Sequence, residues 1–472
     1  MEWQMMRKSL QKLIENIEKA HLTKDAFVTG IAVHSKEVQR GDLFLAQSEI
    51  HAKEAIQRGA FALATKKQMP FSIPQIICED DIEGKIASSF YEHPSKALQL
   101  IGVTGTNGKT TTTLWLQYLL KQTLGPSGFI GTLHYDTGSC QYRATHTTPP
   151  SAKTHRLLHE MVQNGCRAAA MEVSSHALAQ NRTDGLQFST AIFTNLSQDH
   201  FDYHKTESAY FAAKAKLFHG LRKNGVAILN ADCRYHKKIK THAKKVTYST
   251  QNQAHFTAKI QSASLEGMDV SFSKTRLTLP ILGEYNVSNL LAAIAACEEM
   301  GIPFEALIPH LHTLPQVPGR LQRIPNRLGI HCFVDFAHTE HALHSLLSSL
   351  RMISKKHIIL VFGCGGDRDT KKRTQMGVVA EKLSDHAIIT NDNPRSESPL
   401  SIAKEIARGY RNEKKHTIIL DRKEAIAHAL KIAKVGDIVI IAGKGHENTQ
   451  TIENAVLPFT DALIAKELCE IL

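Results

Sequence analysis

Residues 98–111 read L-Q-L-I-G-V-T-G-T-N-G-K-T-T: a short apolar run, a glycine-rich turn and the start of a helical pattern. Leu98 to Val103 is expected to form a strand, and Leu114, Leu116, Leu119 and Leu120 recur at the spacing of a helix. A glycine-rich turn between a strand and a helix is the setting of a phosphate loop. Here it would comprise Gly105, Thr106, Asn107, Gly108, Lys109, Thr110 and Thr111. The glycines let backbone N–H groups approach phosphate, and the helix N-terminus adds partial positive charge. Lys109 would reach the β- and γ-phosphates, and the Thr110 hydroxyl would ligate Mg²⁺. The usual pattern has glycine where Val103 stands, so the loop is a GxxGKT variant. It points to a nucleoside triphosphate without specifying a reaction.

Outward from this loop the chain alternates short apolar runs with helical spacers. Arg167 to Val173, Thr190 to Thr194 and Val226 to Leu229 read as strands, and Leu290 to Cys297 as an Ala/Leu-rich helix. A second series of strands is expected at Cys332 to Phe336, Ile358 to Phe362, Ala387 to Thr390, Thr417 to Leu420 and Ile438 to Ala442. Such alternation implies βαβ units on largely parallel sheets, an α/β fold class. His93-Pro94-Ser95-Lys96 reads as a linker, and the proline-containing stretch Leu314 to Pro325 as a second boundary. Three domains are therefore expected, at 1–95, 96–325 and 326–472. The first mixes an amphipathic helix (Leu10, Leu13, Ile14, Ile17) with short strands, one of them within Val38 to Ala46.

Composition narrows the class. The 472 residues are 42% hydrophobic and 22% charged, which suits a globular protein and neither a disordered chain nor a coiled coil. Lys and Arg outnumber Asp and Glu, 57 to 45, so anionic partners are favoured. No basic tract interleaved with aromatics is present, so nucleic acid is not expected as a partner. The eight cysteines contain no CxxC pair, which signals neither a zinc site nor a disulfide framework. Charged residues Arg7, Lys8, Lys12, Glu15, Glu18 and Lys19 interrupt any signal-peptide core, and no apolar run is long enough for a membrane span. A cytoplasmic monomer is the expectation.

Two further clusters lie at predicted strand ends, where open α/β sheets bind ligands. Glu172, in M-E-V-S-S-H, could complete the Mg²⁺ shell begun by Thr110. N-L-S-Q-D-H-F-D-Y-H (195–204) concentrates histidines and carboxylates, and Lys214 follows on a predicted helix that could face the same place.

The motifs T-G-T-N-G-K-T-T (104–111), M-E-V-S-S-H-A-L (171–178), F-T-N-L-S-Q-D-H-F-D-Y-H (193–204), L-G-E-Y-N-V-S-N (282–289), P-G-R (318–320), V-D-F-A-H-T (334–339), F-G-C-G-G-D-R-D (362–369), D-N-P-R (392–395) and A-G-K-G-H-E (442–447) follow one another through the chain. In order and spacing this set resembles the Mur ligase family, and within it the members that add meso-diaminopimelate. The resemblance implies an N-terminal UDP-binding domain, a central P-loop ATPase-like parallel-sheet domain and a C-terminal Rossmann-like domain. It implies an ATP-dependent amide ligase, with an acyl-phosphate intermediate, that joins meso-2,6-diaminopimelate to UDP-N-acetylmuramoyl-L-alanyl-D-glutamate for peptidoglycan. ATP and Mg²⁺ are the implied cofactors.

Residue by residue, the resemblance places Thr110 and Glu172 on one Mg²⁺ and His200 on a second. Lys214 matches a lysine that reacts with CO₂ to form a carbamate, which turns a cation into an anionic metal ligand. Asn289, Arg320, Asp335 and His338 would contact the nucleotide. Thr147, Thr148, Ser174, Gln180 and Arg182 would hold the UDP-dipeptide, with Ser35 at the uridine. Arg368, Asp392, Asn393, Pro394, Arg395, Gly443 and Glu447 would take diaminopimelate. Its extra carboxylate, absent from lysine, suits a bidentate guanidinium, and Arg395 is the candidate. Near Ser35 the chain reads His34-Ser35-Lys36 where the family usually has D-S-R. The rival readings are a lysine-adding Mur ligase, a folylpolyglutamate synthetase-like ligase and, from another class, a P-loop ATP-binding protein without ligase activity.

Overall fold

The computed structural model describes residues 6–453 and 455–472. Three large sheets organise the chain. The central one has eleven strands, and its parallel heart runs Ser127–Ile130, Ala168–Glu172, Gln99–Thr104, Phe188–Phe193, Leu221–Asn230, Lys244–Ser249. Strands buried on both faces need apolar residues without alternation. Ala168–Glu172 shows this: every residue is buried. Its side chains still divide by parity. Ala168 and Ala170 join Ile101, Val103 and Leu116 on one face, while Ala169 and Met171 join Leu100, Leu157 and Leu158 on the other. The first face is covered by the helices Lys109–Leu124 and Glu284–Glu299, the second by Ser151–Gln163. The alanines leave room for those helices to approach closely.

An antiparallel meander, Phe256–Ser264, Gly267–Phe272 and Thr275–Leu279, extends one edge of this sheet, and two short antiparallel strands extend the other. Sequence reading did not anticipate either. The third sheet is ordered Gln322–Ile324, His331–Asp335, Ile438–Ala442, Ile358–Phe362, His386–Ile389, His416–Ile418, parallel except at its first edge. Gln322–Ile324 precedes the expected boundary at 325 and yet pairs with His331–Asp335. The N-terminal sheet is smaller, ordered His21–Leu22, Gln75–Ile77, Ala62–Thr65, Asp42–Leu45, Gly30–Ala32.

The expected linker at His93 is instead a built turn. Pro94–Ala97 is a short helix entered through a left-handed His93, and Ser95 is buried. The Arg222 guanidinium donates to the carbonyls of Ser95 and Leu98. Proline suits a helix start as well as a linker, which is why this segment misleads. No helix among the described residues is long and apolar enough to cross a membrane.

Candidate active site

The strand Gln99–Thr104 delivers the chain into the predicted loop, and Lys109 opens the helix behind it. Gly108 has φ +85°, and a Cβ there would stand 2.2 Å from Asn289 Oδ1. Only glycine fits this left-handed and crowded position. The loop is fixed from the neighbouring strand end: Asn195 Oδ1 accepts from Asn107 N at 2.9 Å, and Thr194 Oγ1 donates to Asn107 O at 2.6 Å. Lys109 Nζ curls back onto the carbonyls of Gly105 (2.8 Å) and Thr106 (2.9 Å). Burial pushes its ammonium down, opposed by Glu172 and Asp199.

The Thr110 hydroxyl donates to Glu172 Oε2 at 2.9 Å. Glu172 is fully buried and also accepts from Thr132 N (2.8 Å) and Thr132 Oγ1 (3.2 Å). Arg320 Nη2 lies 3.5 Å from Thr110 Oγ1, with its guanidinium stacked 4.4 Å over the Phe336 ring. Asp335 accepts from Leu321 N and Ala337 N and faces Arg320.

On the far side, Thr148 Oγ1 donates to Glu172 O and accepts from Ser174 N, while Arg182 Nη1 donates to Thr148 O. Thr147 Oγ1 lies within hydrogen-bond distance of Thr132 Oγ1, at 3.1 Å. His200, at φ +55°, lies 3.4 Å from Asp199, and its ring meets that of His176 edge-on at 4.9 Å. Burial holds the His200 imidazole below its usual range despite Asp199. Burial works to raise Asp199, but His200, His338 and Lys109 outweigh it and hold the carboxylate low. The side chains of Phe201 and Asp202 lie outside the described residues.

Lys214 is 1% exposed, with Nζ donating to Gly105 O at 2.7 Å and lying over the Tyr210 ring. Burial, reinforced by the charge of Lys109, pushes its amine well below the usual lysine range. A lysine so placed can present the neutral amine that CO₂ requires.

One cleft of about 880 Å³ gathers most of these groups. Its walls include Lys109, Thr110, Glu172, His200, Lys214, Asn289, Arg320, Asp335 and His338, with Thr147, Thr148, Ser174, Gln180 and Arg182 at the other end. Thr106, Asn107, Gly108 and Thr111 line it too, whereas Gly105, Ser35 and the residues expected to take diaminopimelate are not on its walls. Ser35 donates instead to Glu54 Oε2 at 2.6 Å in the N-terminal domain. Arg368, Asp392–Arg395, Gly443 and Glu447 occupy loops after three strands of the third sheet, Ile358–Phe362, His386–Ile389 and Ile438–Ala442. There Arg395, at φ +53°, donates through Nη1 to Gly366 O at 2.7 Å. Asn393 Nδ2 donates to Glu447 Oε2 at 2.9 Å, and buried Lys444 donates to both Asn393 Oδ1 and Glu447 Oε2.

Thr110 and Glu172 offer hard oxygen donors, the chemistry Mg²⁺ prefers. Their 2.9 Å separation matches neighbouring ligands about 2.0–2.1 Å from an octahedral ion. Among the described residues no three His, Cys, Asp or Glu side chains form a preformed metal cage.

Two family models match this chain: the Mur ligase middle domain over residues 103–297 and the Mur ligase, glutamate ligase domain over residues 319–445. The chain belongs to the Mur ligase family. A relative from Coxiella burnetii named UDP-N-acetylmuramoyl-L-alanyl-D-glutamate--2,6-diaminopimelate ligase is 38% identical, covering 98% of this chain and all of its own length. One of the same name from Gloeobacter violaceus is 40% identical over 94% of each chain. A solved structure of that name is similar at a TM-score of 0.67 and 32% identity, covering 94% of this chain and 95% of its own. The MurF ligase from Thermotoga maritima in complex with ADP shares the fold at 18% identity and a TM-score of 0.64, over 94% of this chain and 97% of its own.

Sequence reading of this Mur ligase missed Asp199, Thr132, Tyr285 and Asp232, all on the cleft wall. Asp199 had the same signal as His200, a position just beyond a strand C-terminus. Thr132 carries no motif, and its role emerges only from its bonds to Glu172.

Proposed function

We propose that this chain is an ATP-dependent ligase that joins meso-2,6-diaminopimelate to UDP-N-acetylmuramoyl-L-alanyl-D-glutamate, a cytoplasmic step of peptidoglycan precursor synthesis. The observation that carries this reading is Arg395 of the D-N-P-R loop, held over Gly365, with the Cγ of Arg368 from the neighbouring loop flanking the same glycine. Two arginines on adjacent strand-end loops would suit an amino acid with two carboxylates, and lysine would leave one of them unpaired. The names of the relatives support the same substrates.

The chemistry follows from charge. A carboxylate oxygen of the D-glutamyl residue attacks the γ-phosphorus of ATP, ADP leaves, and an acyl phosphate forms. The unprotonated amine of diaminopimelate then attacks the acyl carbon, the C–O bond to phosphate breaks, inorganic phosphate leaves, and the amine nitrogen gives up one proton to solvent. The first step drives two anions together, so fixed positive groups must offset their repulsion. Lys109 and Arg320, both on the cleft wall, would supply them, and the loop N–H groups would add to them. Thr110 and Glu172 would hold Mg²⁺, with His200 and carbamylated Lys214 at a second ion. When bound, the metal neutralises phosphate charge. Thr147, Thr148, Ser174, Gln180 and Arg182 would orient the UDP-dipeptide, with Ser35 at its uridine end. Asn289, Asp335 and His338 would frame the nucleotide.

We place the first domain boundary near residue 95. The second falls before Gln322, because that strand hydrogen-bonds within the third sheet.

Product analysis tests this reading. ATP, the UDP-dipeptide and diaminopimelate should yield the UDP-tripeptide, ADP and phosphate. Equal product with lysine would refute the assignment of Arg395.

A further inference from the structure

The two loops bearing Arg368 and Arg395 approach each other at one glycine: a Cβ on Gly365 would lie 3.0 Å from Arg395 Nη1 and 3.8 Å from the Arg368 Cγ methylene. Asp367 and Arg395 also hold left-handed backbone, φ +54° and +53°, which non-glycine residues adopt only when their surroundings impose it.

A buried fork holds these loops together. Arg373 is fully buried in the first turn of the helix Lys371–Leu383. A cation there opposes the helix dipole, so the position does not serve the helix. Its Nη1 and Nη2 each donate to Glu397 at 2.8 Å, Nη1 also to Glu405 at 2.9 Å, and Nη2 to Gly365 O at 3.3 Å. Glu397 in turn accepts from Asp367 N at 2.5 Å. Asp367 accepts from the Ser396 hydroxyl at 2.6 Å. One guanidinium thus ties the loop 363–369 to the loop 392–397, and the contacts of Asp367 and Ser396 repeat the tie.

We propose that Arg373, acting through Glu397, is a positioning residue that sets the spacing of Arg368 and Arg395 and so the enzyme's choice of a dicarboxylic amino acid. It touches no substrate in this assignment, which rests on the reading of these loops as the diaminopimelate site. Arg373→Lys keeps the charge and loses the planar fork, so it separates bidentate geometry from electrostatics.

The test is steady-state phosphate release by the full chain with Arg373→Lys and Glu397→Gln, alongside thermal melting. Each variant should raise KM for diaminopimelate at least about tenfold, leave KM for ATP and for the UDP-dipeptide within about twofold, and lower the preference for diaminopimelate over lysine. A destabilised but otherwise passive scaffold would move all three KM values together or none. Unchanged discrimination in both variants, with only the melting temperature lowered, overturns the proposal. Glu397→Gln, on a partly exposed loop, serves if Arg373→Lys does not fold. Wild-type protein that fails to use diaminopimelate overturns the site reading itself, and the role of Arg373 with it. Normal wild-type use with unaltered variants overturns Arg373 alone.

Discussion

The Thr110 hydroxyl and the Glu172 carboxylate meet at 2.9 Å, joining the first turn of the phosphate-loop helix to the end of the neighbouring parallel strand. Residues 62 positions apart are brought together because both strands end at the same edge of one sheet. Glu172 gains two further donors from Thr132, so its carboxylate is oriented before any ligand arrives. Thr110→Val and Glu172→Gln should each lower kcat by about 10²–10³-fold, the usual effect of removing one preorganised electrostatic group. Phosphate release measured across a Mg²⁺ titration checks this, with both variants requiring more Mg²⁺.

Gly108→Ala should impair the nucleotide site selectively. The new methyl would meet Asn289 Oδ1 at 2.2 Å, in backbone with φ +85°. Left-handed strain of about 1–2 kcal/mol, with the clash added, implies KM for ATP at least about tenfold higher. KM for diaminopimelate should stay near the wild-type value in the same assay.

Lys214 has an environment suited to a neutral amine, being buried beside Lys109. Bicarbonate should stimulate the wild-type enzyme after exhaustive CO₂ removal. Lys214→Arg, which keeps a cation but cannot form the carbamate, should lose activity by about 10²-fold or more and ignore bicarbonate. Carbon-labelled bicarbonate followed by NMR would reveal the carbamate on the wild-type protein and none on the variant.

The Arg422–Asp461 pair is fully buried, with bonds of 2.8 Å from Nε and from Nη2. Arg422 also donates to Asn391 O and Ala442 O, next to the D-N-P-R and A-G-K-G-H-E loops. Arg422→Met leaves Asp461 buried without its partner and should cost about 3–5 kcal/mol. Urea unfolding followed in the full chain measures it.

Much of the central machinery was legible because it obeys local rules. The phosphate loop pairs glycines with a strand and a helix, and Glu172 ends a strand whose every residue is buried. The meander Phe256–Leu279 was not legible. Phe256–Ser264 is largely solvent-facing, so its apolar residues form no continuous run. The antiparallel pair Thr449–Ile452 and Ala455–Pro458 was missed too; Ala455–Pro458 is exposed throughout and carries no burial pattern. It nevertheless bears on the third-domain loop, since Thr451 O accepts from Arg395 N and Thr451 N donates to Asn393 Oδ1. Contacts such as Arg373 with Glu397 and Glu405 join residues more than twenty positions apart, and no spacing rule announces them.

Arg395 carries the substrate assignment, and its removal gives the corresponding loss. Arg395→Ala should raise KM for diaminopimelate by about 10²-fold or more, as expected for a lost charge-assisted bidentate contact, with KM for ATP nearly unchanged. Isothermal titration of diaminopimelate into the enzyme held with ADP and the UDP-dipeptide provides an independent reading.

The most direct measurement is phosphate release with ATP and UDP-N-acetylmuramoyl-L-alanyl-D-glutamate, supplying meso-diaminopimelate, L-lysine, L-glutamate or no amino acid in turn. Turnover with diaminopimelate, and at least about 10²-fold less with each of the others, is the expected result. Turnover that is equal with lysine, or independent of any amine, would contradict the account.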